Sequence, residues 1–110
     1  MATDAQAALS AAMDRLWVQH LPQLIERVDI LDTAAQAFAT GALSVNQHQA
    51  AQSAAHKLAG VLGTFGLTRG TVLARELEIM YSRQNDPDSD IAGRLASIAT
   101  ELRTMIASRK

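Results

Sequence analysis

From Asp4 to Arg109, apolar residues return every three or four positions, and only a few glycines and two prolines break the rhythm. That spacing stacks them on one side of a helix, and no stretch shows the period of two that a half-buried strand needs. The first stripe runs Leu9, Met13, Leu16, Trp17, Leu24, Val28, Leu31, Ala35 and Phe38, behind Thr3 and Gln6 in capping-box spacing. Pro22 falls inside it, yet the stripe keeps its phase across the proline. One long helix over about 4–40, kinked at Pro22, is therefore expected in place of two. Gly41 ends it.

Ser44 and Gln47 form a second capping box, opening a helix over about 45–65 with Ala51, Ala54, Ala55, Leu58, Val61, Leu62 and Phe65 inward. Gly66 marks a turn. A third helix over about 68–84 carries Val72, Leu73, Leu77 and Met80. Asn85 to Asp90 reads as a loop that ends in acidic N-cap residues. The last helix, about 89–108, has Ile91, Leu95, Ile98, Leu102, Met105 and Ile106 at helical spacing, with Arg109 and Lys110 near its negative end. Four helices with short connections predict an all-α, antiparallel four-helix bundle, with Trp17 in its core.

Several function classes drop out on composition. The formal charge is −1 and no run of Lys or Arg exceeds two residues, which leaves no basic face for nucleic acid or an anionic membrane. Cysteine is absent, and with it disulfides, thiolate metal sites and cysteine nucleophiles. No apolar run approaches the roughly 20 residues of a membrane span, and the N-terminus has no basic segment of a secretory signal. A soluble, cytoplasmic protein is expected. Its 110 residues suit one domain, residues 1–110, of a size that a longer multidomain protein can carry as a module.

The second helix breaks its own rules. On a wheel of about 100° per residue with His56 at zero, Leu58, Val61, Leu62 and Phe65 centre near about 200°. Gly60 falls at about 40° and Gly63 at about 340°, both on the histidine's face, with Ala59 at its edge. Each mid-helix glycine costs roughly 1 kcal/mol relative to alanine. They either let a neighbouring helix pack closely or leave bare backbone for something flat to approach His56. Metal binding is a poor fit, because His48 and His56 are eight residues apart and no Asp or Glu lies between residues 33 and 75. No Ser/His/Asp arrangement or phosphate-cradling loop is recognisable either.

The run from Ala55 to Glu78 resembles a histidine-containing phosphotransfer (HPt) domain, of the kind found in bacterial two-component phosphorelays. His56, Leu58, Gly60, Gly63, Gly66, Leu77 and Glu78 match that family's pattern in register and without a gap. One position departs from it: many members carry lysine three residues after the histidine, where this chain has Ala59, and its lysine is Lys57.

The resemblance implies a phosphocarrier, not an enzyme. His56 would accept a phosphoryl group on Nε2 from a receiver aspartyl-phosphate or a histidine kinase and pass it to another receiver. Gly60, Gly63, Ala59 and Lys57 would form the surface a partner closes over. Long helical side chains lean toward the N-terminus, so the ring should lie above Gln52 and Ser53, either of which could orient it. Leu77 and Glu78 are expected to serve the fold. No cofactor or metal is expected on this chain, since the resemblance places Mg²⁺ on the partner receiver; a monomer is the default. The competing reading is a helical interaction module in which His56 is incidental. A kinase dimerisation domain is a poorer match, because Lys57 and Leu58 follow the histidine where that class has an acid.

Overall fold

In the computed structural model, which describes residues 3–83 and 88–109, both capping boxes form. The Thr3 hydroxyl accepts from the Gln6 amide at 3.1 Å while the Gln6 side chain accepts from the Thr3 amide at 2.9 Å, and Ser44 and Gln47 repeat the exchange. They open α1 (Asp4–Ala39) and α2 (Val45–Thr64). Two Schellman endings close these helices. Ala42 N–H donates to Ala37 O and Gly41 N–H to Phe38 O; Leu67 and Gly66 do the same to Leu62 and Gly63. Both need a left-handed residue, and Gly41 (φ 72°) and Gly66 (φ 75°) supply it without a Cβ penalty.

Two more helices, α3 (Thr68–Ser82) and α4 (Ser89–Ser108), complete the chain, the last capped by the Asp88 carboxylate on the amides of Asp90 and Ile91. Residues 85–87 of the expected loop, and Lys110, lie outside the described residues. Each helix packs against its neighbours in the order α1, α2, α3, α4 and back to α1, an up-and-down four-helix bundle. α1 runs through Pro22 as one helix, although a proline there leaves the Val18 carbonyl without its usual donor.

The core is aliphatic: Leu24, Leu31, Leu58, Leu62, Leu73, Leu77, Ile98 and Leu102 are all essentially inaccessible. Three expected core residues are exposed instead. Leu9 is 65% and Leu16 43% exposed, and α1 has no buried residue before Trp17. The reason is length: 36 helical residues extend about 54 Å, against about 30 Å for the 20-residue α2 and α4, so the start of α1 outruns the bundle. Val72 is the third, 59% exposed on the side of α3 that no helix covers. Trp17 is buried near one end of the bundle, edge-on to Phe65 at 5.2 Å with the Arg109 guanidinium over its ring at 4.7 Å.

Across the surface, Arg103 bridges α4 to Asp29 and Asp32 of α1, while Arg94–Glu76 (2.5 Å) and Arg69–Glu101 (2.6 Å) join α4 to α3. Exposed pairs of this kind add little stability each.

Candidate functional site

The site is built on α2 and α3, which Gly66 folds back on each other. Leu58 and Leu62 anchor one face of α2 in the core, which turns His56 to the outside, its side chain 74% exposed. Leu77 anchors α3 in the same way and leaves Glu78, the next residue, on the flank toward α2. There the Nδ1–H of His56 donates to Oε2 of Glu78 at 2.7 Å.

A carboxylate only accepts, so in the neutral tautomer this bond places the proton on Nδ1 and leaves the Nε2 lone pair facing outward. Glu78 therefore orients the ring and places a negative charge where a developing imidazolium would sit. Around the pair lies a shallow cleft of about 280 Å³, lined by Gln49, Gln52, Ser53, His56 and Glu78.

Several expectations need correcting here. Gln52 and Ser53 line the cleft but make no hydrogen bond to the ring; the orienting group comes from α3. Side-chain lean within one helix ranks only neighbours along that helix, and the winning group sits across the hairpin. Glu78, assigned to the fold, is that group. Ala59 is 3% exposed and so cannot be part of a partner's footprint. It faces α3, whose Thr71 hydroxyl donates to the Ala59 carbonyl at 3.1 Å.

The two glycines also divide. A Cβ on Gly60 would meet nothing within 4 Å, which leaves open backbone beside the histidine. A Cβ on Gly63 would stand 3.2 Å from the Thr71 hydroxyl, so that glycine spaces the α2–α3 contact. Lys57 is exposed but lies on the other side of α2, in a cleft against α1 with Gln23, Glu26 and Arg27. His48 is engaged elsewhere, its Nε2–H donating to the Tyr81 carbonyl at the end of α3. Among the described residues, no group of three or more His, Asp or Glu gathers as a metal site would require. None of the helices described is long and apolar enough to cross a membrane.

Comparison with known proteins identifies the family. The Hpt domain family model matches residues 16–108. Protein RcaC of Microchaete diplosiphon is 38% identical over 76 residues, covering 69% of this chain and 12% of that protein's length. No solved structure matches. An exposed helical histidine held through Nδ1 on a four-helix bundle, together with a family match over most of its length, establishes that this chain belongs to the Hpt domain family, the phosphotransfer modules of two-component phosphorelays.

Proposed function

We propose that this chain is a phosphocarrier whose His56 takes a phosphoryl group from a receiver aspartyl-phosphate or a histidine kinase and gives it to another receiver aspartate. The observation that carries the reading is the His56–Glu78 bond, which aims the free Nε2 at solvent over the bare backbone of Gly60. In the transfer, the Nε2 lone pair attacks phosphorus, the Nε2–P bond forms, and the P–O bond of the aspartyl-phosphate breaks to release the donor carboxylate. The Nδ1 proton stays where it is. The ring becomes a phosphorylated imidazolium, and the Glu78 carboxylate offsets its charge. The reverse step, onto a second aspartate, restores the neutral ring.

Little else is asked of this chain, because phosphoryl transfer depends chiefly on positioning and charge stabilisation. Mg²⁺ held by the receiver would offset the phosphoryl charge during transfer; the residues of this chain provide the nucleophile and its alignment. A cytoplasmic location and a monomeric state fit the same reading, as those of a carrier that must meet several partners.

The test mixes the purified chain with a phosphorylated receiver and Mg²⁺ and looks for phosphate that survives alkali and is lost in acid. Wild type is expected to acquire it and His56→Gln is not. Equal labelling of both would move the site away from His56. No label on wild type from a panel of receivers and kinases would favour a helical interaction module.

A further inference from the structure

A phosphoryl group on Nε2 brings close to two negative charges to a ring whose other nitrogen already faces a carboxylate. That accumulation needs a cation nearby. The one cationic side chain on α2 other than histidine is Lys57, and it is badly placed. It lines the cleft against α1, beside the Glu26 carboxylate, whereas His56 leans toward α3.

The hairpin register supplies another candidate. Seven residues separate His56 from Gly63 on α2, and seven separate Glu78 from Thr71 on α3. His56 meets Glu78 and Gly63 abuts Thr71, so the two helices run antiparallel and in step here. Gly60 is then level with Ala74, and Arg75 is the next residue along α3. Ala74 is fully buried, whereas its neighbour Arg75 is exposed.

Arg75 lies three residues before Glu78, about one turn or about 4.5 Å along α3, which makes the two surface neighbours and places Arg75 on the Gly60 side of the ring. The open space over Gly60 leaves room for a long side chain to lie across that backbone toward Nε2. Arg75 is also uncommitted: Arg69 and Arg94 hold Glu101 and Glu76, and Arg75 forms no ion pair among the described residues. A guanidinium is the side chain best matched to phosphoryl oxygens, since its planar fork can donate two parallel hydrogen bonds.

We propose that Arg75 is the cation that pairs with the phosphoryl group on His56, reaching it from α3 over the open backbone of Gly60; this rests on His56 being the phosphoacceptor. Phosphoramidate tests it without any receiver, so docking plays no part. Nε2 attacks phosphorus, the P–N bond breaks and ammonia leaves. Phosphorylation of wild type, Arg75→Ala, Arg75→Lys and Lys57→Ala is followed, with ³¹P NMR titration of the product.

Arg75→Ala is expected to take phosphate about tenfold more slowly, the scale of one charge-assisted hydrogen bond. The second ionisation of its phosphoryl group should move to higher pH, because an opposite charge has gone. Arg75→Lys should recover part of both effects, and circular dichroism should not change. The assignment is overturned if Arg75→Ala phosphorylates and titrates like wild type, or if Lys57→Ala carries the effects instead. An unlabelled wild type overturns the phosphoacceptor reading itself, a distinct result because every variant would then be equally silent.

Discussion

His48 and His56 sit on one helix, eight residues apart, and both reach across to α3, yet the two regions use the ring in opposite ways. Around His48 the structure is closed: Nε2 is occupied by the Tyr81 carbonyl, and the ring stands edge-on to the Tyr81 ring at 6.1 Å. That bond serves one of the last carbonyls of α3, which no helical amide can reach; Ser82 and Arg83 serve its neighbours Ile79 and Met80. Around His56 the structure is open, with Nδ1 held and Nε2 left outward. The difference teaches that a helical histidine is defined chemically by which nitrogen its neighbour occupies. A ring bound through Nε2 has that nitrogen occupied, and one bound through Nδ1 keeps Nε2 outward, as the phosphoacceptor role proposed for His56 requires.

Three substitutions would break or sharpen this contrast. The largest effect is expected at Gly60→Glu. Nothing crowds that position, so folding should be nearly unchanged, costing under about 1 kcal/mol. Transfer from a receiver should fall by more than about a hundredfold, since a carboxylate set against an acidic partner pocket costs several kcal/mol. Wild-type transfer rates in this variant would show that the open backbone is not where partners approach.

His48→Ala should act on the other side of the comparison. It removes the donor that the Tyr81 carbonyl has among the described residues, at a cost of about 1 kcal/mol in urea unfolding. Phosphorylation of His56 should proceed at the wild-type rate in the folded protein; a parallel loss of labelling would mean the two regions are one functional unit.

The smallest effect belongs to Tyr81→Phe. The Tyr81 hydroxyl is buried with no hydrogen-bond partner among the described residues, so removing it should change stability at pH 7 by less than about 0.5 kcal/mol. The difference appears in alkali. Burial pushes the phenol from 10.0 up to about 12 because the charged form is disfavoured. Its contribution to stability is therefore complete below pH 10 and is lost as pH rises toward about 12. Unfolding midpoints measured across that window should fall less steeply in Tyr81→Phe than in wild type, and identical slopes would count against this account.

Much of this molecule is legible in its sequence alone. Capping residues and glycines marked four helix ends because their chemistry is local: Thr3 with Gln6, Ser44 with Gln47, and Gly41 and Gly66 in the left-handed region. The apolar stripes of α2 and α4 located the core for the same reason, each being a property of one helix. Leu9 and Leu16 misled because periodicity says which face is apolar but not whether another helix is long enough to cover it. Ala59 misled because a residue at the edge of a polar face belongs to solvent or to a neighbour according to where that neighbour packs.

His56 and its exposed face were settled by the sequence, since the phase of Leu58 and Leu62 alone turns them outward, whereas which of Gly60 and Gly63 stays open was not. That Glu78 holds the ring, that Thr71 fills the space Gly63 leaves, and that His48 closes the end of α3 were decided only by the tertiary structure. Each of those contacts joins residues on different helices. Their pairing depends on the register of the α2–α3 hairpin, a single translational variable that no one helix encodes and that packing fixes.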